Sequence, residues 1–449
     1  MRTMNKKRLS LLLAGLLACG MMMAQAQDSV HINLDKAIEI ALSEAPTMRI
    51  ADRSVDIKRE YKKEQIVSLF PDVSLASNYN RTLLKQTMSM EMPDPLTGES
   101  KTMNIKMGRD NTYSVGANLS LPLVSFPLWS SLKLSSMDID LALEAARSSK
   151  IDLINQVKQA YYTYLLAKQS YDVLKANYDN LDSSNRLVVQ SYEQGLVSEY
   201  EKLRSEVALQ NQKPTVNSAA TAIKLSAMRL KVILGMDVNE PVIFDGQLSD
   251  YEQMVLNATM PSEQDLQLAY NSALRQMDMG IEQLEQSKKI VRGSSLPMLA
   301  LAGAFQYSGM GDDGQKFTNY PYSYVALSLQ VPIVGWASTH YKLKQSDLSI
   351  QNMQDQRLDL ERNLRLGVQS CVNDMEQAIE DLASDSETMR QAQKAYDIAQ
   401  KQYEVGMNTW LDLRSTELAL LTSQLTYCQA IFDYLVAKAN LDATLGKEQ

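Results

Sequence analysis

The sequence predicts an α+β membrane protein, with four transmembrane β-strands per chain joined to long coiled-coil-like helices and the whole built by internal duplication. Three observations predict it. Blocks of residues recur at nearly constant spacing in the two halves. Four segments alternate strictly between apolar and polar residues. Two stretches keep an apolar seam at heptad spacing.

Taken in order, the chain opens on a secretion signal over residues 1–26. Lys6, Lys7 and Arg8 precede an apolar core from Leu9 to Ala18, and Ala24-Gln25-Ala26 is a small-x-small cleavage site before Gln27. Leu16-Leu17-Ala18-Cys19 also reads as a lipoprotein box. Cleavage removes Arg2, Lys6, Lys7 and Arg8 and no acid, so the mature chain is more acidic than the formal charge of −8. Such a balance disfavours nucleic-acid binding. Of the cysteines, Cys371 and Cys428 remain; neither sits in a CxxC, and a disulfide between them is left open. No later segment is an uninterrupted apolar run long enough for a membrane helix. Barrel strands carry a weaker signal.

The duplication follows. Tyr192-Glu193-Gln194-Gly195 recurs as Tyr403-Glu404-Val405-Gly406. Ile233-Leu234-Gly235 recurs as Thr444-Leu445-Gly446, and Leu119-Ser120-Leu121-Pro122 as Leu329-Gln330-Val331-Pro332. Leu69-Phe70-Pro71 recurs as Ser295-Leu296-Pro297. Each repeat, 27–246 and 247–449, reads helix, strand, strand, helix, helix.

The strands are predicted at 71–80, 112–123, 297–308 and 322–333. Val73, Leu75 and Tyr79 lie on one face of the first. Tyr113 to Leu121, Leu299 to Tyr307 and Val325 to Ile333 place their odd-numbered residues likewise. Each run is about 10 residues, enough to cross a bilayer when tilted. The chain holds 21 Tyr against 6 Phe and 3 Trp. Tyr79, Tyr113, Tyr307, Tyr322 and Tyr324 gather near the hairpin loops, where an aromatic girdle is expected. A soluble sandwich would alternate too. In lipid, however, four strands cannot close a barrel, and open edges are not tolerated. Oligomerisation is then required: three copies give twelve strands and two give eight.

The helical hairpins are predicted at 128–235 and 336–446. No proline or glycine appears between Pro127 and Gly195, and a helix through that stretch rises on the order of 100 Å. Its seam is Val157, Tyr164, Tyr171, Tyr178, Asn185, Tyr192 with Ala160, Ala167, Leu174, Leu181, Val188. The second seam is Val368, Met375, Leu382, Met389, Tyr396, Tyr403 with Cys371, Ala378, Asp385, Ala392, Ala399. Asn185 and Asp385 break the pattern. Each long helix ends at a glycine turn, followed by candidate N-caps Ser198 and Asn408 or Thr409. Pro214 is expected to kink the returning helix.

With these features in place, the chain resembles the TolC-like outer-membrane efflux proteins over nearly its whole mature length. The opening Leu34-Asp35-Lys36-Ala37-Ile38-Glu39-Ile40-Ala41-Leu42 with Pro46 carries the resemblance. So do the strand-entry prolines, Tyr-x-x-Gly at both tips and Leu-Gly closing each half. The resemblance implies a homotrimer with a twelve-stranded barrel in the outer membrane and a helical barrel through the periplasm. It implies docking to a periplasmic adaptor and an inner-membrane transporter, as a passive exit duct for small toxic compounds. Type I protein secretion and metal efflux use similar ducts; a non-pore periplasmic scaffold is the reading from another class.

The resemblance also implies roles for the tips. Gly195, Leu196, Val197 and Ser198, with Gly406, Met407, Asn408 and Thr409, correspond to the adaptor-facing turns. Glu201 and Asp412 correspond to the acids of a periplasmic gate. Where the family carries an arginine and an aspartate for a latch, this chain has Asn408 and Ser415. A latch of Arg204, Arg414 and Glu201 is the substitute to look for.

Other signals are set aside. Gly309-Met310-Gly311-Asp312-Asp313-Gly314 fits GxGxxG but lies between strands, without the geometry of a phosphate cradle. His31 and His340 stand alone. Met88, Met90, Met92, Met103 and Met107 crowd the first hairpin loop; thioethers suit Cu(I), but no His or Cys accompanies them. The sequence therefore assigns no catalytic residue, cofactor or metal site.

Overall fold

The computed structural model describes residues 30–93, 100–333 and 335–448. The expected secretion signal, Gln27 and Cys19 lie outside the described residues. The chain runs β1 (Val30–Ile32), α1 (Leu34–Glu44), α2 (Pro46–Val67), β2 (Asp72–Arg81), β3 (Gln86–Pro93), β4 (Ser100–Met107), β5 (Asn111–Val124), α3 (Phe126–Glu193), α4 (Glu199–Leu234) and β6 (Val242–Phe244). It continues with α5 (Glu252–Leu256), α6 (Ser272–Gly293), β7 (Met298–Gly311), β8 (Thr318–Gln330), α7 (Trp336–Glu404) and α8 (Trp410–Thr444). Two compact units result. One comprises 30–50, Ser148–Asn271 and 363–448; the other comprises Ala51–Arg147 and Ser272–Arg362. Each sequence repeat contributes to both.

In the second unit, β2, β5, β7 and β8 form an antiparallel sheet in that order. The register joins like to like. Val73 pairs with Leu119, and Leu75 with Ala117. Leu121 pairs with Leu301, which pairs with Leu327. Because side chains alternate along a strand, one face of all four strands is apolar. Asn78, Ser114 and Ser308 share the other face. The tyrosines divide between the two. Tyr79, Tyr113 and Tyr307 lie on the apolar face. Tyr320, Tyr322 and Tyr324 pair with Ser308, Gln306 and Ala304 on the polar face. Tyr322 and Tyr324 therefore do not belong to the expected girdle; the period-two alternation turns them away from it. Gly309 opposes Tyr113, and a Cβ there would lie 2.5 Å from the tyrosine ring. The glycine is what leaves room for the ring.

β8 begins at Thr318, earlier than predicted, and ends at Gln330, so Val331 and Ile333 fall outside it. Pro321 is tolerated because β8 is an edge strand and one side of it needs no donor. The first hairpin loop is itself structured: β3 and β4 pair with each other as a separate two-stranded sheet. The GxGxxG segment serves the loops. Asp312 and Asp313 accept from Lys85 (2.9 Å), Arg109 and Arg81 (2.9 Å).

The first unit is held by the seams. Val157, Leu181 and Val188 in α3 and Leu382 in α7 are fully buried. Each such aliphatic is worth roughly 1.5–3 kcal/mol over its exposed state. Asn185, which breaks the heptads, receives the Ser205 hydroxyl of α4 at 2.6 Å. Pro214 does not break α4, which runs through it. β1 and β6 pair in parallel, Ile32 beside Phe244, and close over the core. Cys371 and Cys428 are free thiols in this core. Among the described residues no helix is long and apolar enough to cross a membrane.

Candidate functional site

The tips that join α3 to α4 and α7 to α8 carry the predicted site residues. Both are built by one motif. Gly195 and Gly406 have φ of +74° and +75°, a conformation glycine adopts without steric cost. Leu196 N–H donates to the Ser191 carbonyl at 2.9 Å and Gly195 N–H to Tyr192 at 2.9 Å. Met407 and Gly406 repeat this onto Gln402 (2.8 Å) and Tyr403 (3.0 Å). These paired bonds satisfy carbonyls that the helix end would otherwise leave unpaired. The next helix starts at once. Ser198 accepts from Glu201 N–H at 3.3 Å, and Thr409 from Asp412 N–H at 3.2 Å. The Asp412 carboxylate returns the bond to Thr409 N–H at 3.4 Å, completing a capping box. Of the two predicted caps, Thr409 therefore serves, while Asn408 Oδ1 accepts from Thr409 N–H at 3.0 Å.

The apolar tip residues separate into two kinds. Leu196 is 72% and Met407 80% exposed. Val197 instead packs with Leu181, Val188 and Trp410, so it closes the tip internally. Glu201 and Asp412 occupy the same place in their helices, the first turn, where the helix dipole favours a carboxylate. Asp412 is exposed and Glu201 half-buried.

The substitute latch is not formed within a single chain. Neither arginine engages Glu201. Arg414 binds Glu417 at 2.7 Å. Arg204 lies over the rings of Trp410 (5.9 Å) and Tyr200 (6.0 Å), a cation–π contact that ties α4 to the start of α8. The spacing of Arg204, Arg414 and Glu201 in sequence concealed this, because an arginine three residues before a glutamate on one helix finds it first.

Sequence reasoning missed Glu417, Asn177 and Trp410. Glu417 is 4% exposed and accepts from Asn177 Nδ2 of α3 at 3.1 Å. Burial pushes its carboxyl above the usual range, against the opposing pull of Arg414. A buried carboxylate between two helices is costly unless it is paired; here one arginine and one amide hold it. The signal available was a glutamate three residues after an arginine in a helix otherwise apolar on that side. Trp410 is buried directly after the Thr409 cap, where no periodicity had yet begun.

Comparison with known proteins agrees with this architecture. The chain is 21% identical to the alkaline protease secretion protein AprF of Pseudomonas aeruginosa over 92% of its own length and 84% of that protein. It is 21% identical to the outer membrane protein TolC of Vibrio cholerae, covering 88% of this chain and 86% of the other. The fold superposes on the Campylobacter jejuni CmeC outer membrane channel with a TM-score of 0.72 at 16% identity, covering 92% and 85% of the two chains. The family model described as outer membrane efflux protein matches residues 37–236 and 265–447. With a match over most of its length, the chain belongs to the outer membrane efflux protein family: it is an exit duct of the outer membrane whose helices extend into the periplasm.

Proposed function

We propose that three copies of the chain close a twelve-stranded barrel and serve as the passive outer-membrane exit of a tripartite system. The cargo is small toxic compounds, received from an inner-membrane transporter through a periplasmic adaptor. One observation carries the reading: a four-stranded sheet with one continuous apolar face, ending in β2 and β8 as edge strands. In lipid those edges leave unpaired backbone groups, each costing several kcal/mol. Joining β8 of one copy to β2 of the next removes the cost and encloses the polar face.

The tips supply the docking surface. Gly195 to Ser198 and Gly406 to Thr409 end each hairpin, and Leu196 and Met407 offer apolar contacts to adaptor helices. Glu201 and Asp412 repeat three times in a trimer and form acidic rings at the periplasmic end that favour cations. Arg204 and Arg414 brace the helices behind these rings rather than bridge to them. No chemistry is required of the chain.

The likeness to a protein named for protease secretion favours a second reading, with polypeptide as cargo. Deleting the chain's gene separates the two. Sensitivity to toxic compounds rises on the first reading, and a secreted protein is retained on the second. Unchanged sensitivity and secretion, with no conductance from the purified protein in planar bilayers, would refute both.

A further inference from the structure

β3 and β4 form an arm beyond the hairpin end of the main sheet. Their register places Met90 directly opposite Met103, Met88 opposite Ile105, and Met107 opposite Gln86 at the base. Alternation therefore gathers Met88, Met90, Met103 and Met107 on one face. Thr87, Ser89, Glu91, Thr102, Asn104 and Lys106 take the other. The sequence spacing alone did not reveal this, since it leaves open which residue of one strand faces which of the other.

The four methionines are between 43% and 50% exposed. A strand face meant only to pack would favour β-branched or aromatic residues. Methionine is unbranched, with three rotatable bonds and a polarizable sulfur. Opposed Cβ atoms on such a pair lie about 4.5–5.5 Å apart and diagonal partners about 7–8 Å. Flexible thioethers starting at those separations can converge on one point. No His, Cys or carboxylate shares the face. Among the described residues no group of three or more His, Cys, Asp or Glu is placed to hold a metal. A thioether set without carboxylate or imidazole ligands favours soft ions such as Cu(I) over hard divalent ones.

The arm is also braced before any ligand arrives. Lys85 joins Asp110 (3.1 Å) and Asp312 (2.9 Å). Thr82 N–H donates to the Asp110 carbonyl at 2.7 Å, and Asp110 N–H to the Asp312 carboxylate at 3.2 Å. A base fixed in this way lowers the ordering cost of binding.

We propose that this methionine face binds a soft monovalent metal ion of the Cu(I) or Ag(I) class. Met88, Met90 and Met103 are the ligands, because each is opposed, diagonal or two residues along the strand from the others. The site stands on the arm's geometry and does not depend on the duct reading. The test uses the purified full-length protein in detergent, titrated with Ag(I) in a chloride-free buffer, with bound metal counted by mass spectrometry. The triple variant M88L/M90L/M103L keeps the apolar volume and removes the sulfur. The expected result is that wild type retains one more equivalent of Ag(I) per chain than the variant, while Zn(II) binding does not differ. In wild type labelled with 13C-methyl methionine, the expected result is that Ag(I) shifts the methyl signals lost in the variant. Equal silver retention by the two proteins overturns the proposal and leaves the face as an apolar docking surface, a role leucine would preserve. Unshifted methyl signals overturn it even if the variant fails to fold.

Discussion

Four glycines end the four long helices, and their backbones are alike. Gly195 and Gly406 at the tips have φ of +74° and +75°; Gly235 and Gly446 at the roots have +77° and +76°. All four complete the same pair of capping bonds. Their surroundings differ completely. A Cβ added at either tip glycine meets nothing within 4 Å. At Gly235 it would lie 2.8 Å from the Glu44 carbonyl oxygen, and at Gly446 it would run into the Tyr270 carbonyl and lie 3.2 Å from Asn271 Cα. Duplication thus kept one turn motif and gave it two uses. At the roots it clamps each hairpin onto the chain that leads into the next helix. At the tips it leaves the surface free.

The comparison breaks most readily at Gly446. Its replacement by alanine adds left-handed strain of about 1–2 kcal/mol to overpacking of about 1–3 kcal/mol. We expect Gly446→Ala to lose roughly 3 kcal/mol or more in denaturant unfolding. Gly235→Ala should follow closely, its contact being less severe. A loss at either root no larger than at the tips would mean that the clamps yield, and the contrast would fail.

Next in size is Glu417, deep in the hairpin. Glu417→Ala strands Arg414 and should cost about 3 kcal/mol. Its pH dependence has a definite sign. Burial raises the folded carboxyl above its ordinary range, so its contribution is complete at low pH and declines as pH rises through the raised value. Wild type should therefore be more stable relative to Glu417→Gln at about pH 5 than at about pH 7. Asp312 behaves oppositely, because Lys85 and Arg109 hold it well below the ordinary range. Its contribution is present above about pH 4 and is lost as pH falls. Acid should thus loosen the arm while it firms the hairpin, which amide exchange resolved by segment would report.

These two carboxylates also show what the sequence made legible. Heptads, alternation and duplication are periodic, so the seams, the sheet faces and the glycine turns could be read from spacing alone. Register is not periodic information. It decided that Tyr322 and Tyr324 face away from Tyr307, and that the crowded methionines share one face. Partner choice is not periodic either. Arg414 and Glu417 were legible as a local pair three residues apart, but the bond from Asn177, more than two hundred residues away, to the buried Glu417 was not. The Thr409–Asp412 capping box lay open in sequence, since a capping residue followed by an acid three positions later is a local signal.

At the tips the expected cost is small. Gly195→Ala and Gly406→Ala meet no clash, so left-handed strain alone applies, at about 1 kcal/mol each. A thermal melt of each variant against Gly446→Ala puts the root-to-tip contrast into one experiment. Tip variants losing as much as Gly446→Ala would show that the tips are packed by something a single chain does not contain.

The smallest effect on stability should come with a large effect on export. Leu196 and Met407 are highly exposed, so Leu196→Ser with Met407→Ser should change unfolding by no more than about 0.5 kcal/mol. If these side chains meet the adaptor, removing two apolar anchors should lower export and weaken cross-linking to the adaptor, while the amount of protein in the outer membrane stays the same. Val197→Ser is the control. Val197 packs on Trp410 within the tip, so its loss should reduce stability first and export only in proportion. Export unaffected by the double variant would remove the tips from the docking surface. Equal losses of stability from all three substitutions would remove the distinction between an outward-facing and an inward-packed apolar residue on which the assignment of the tips rests.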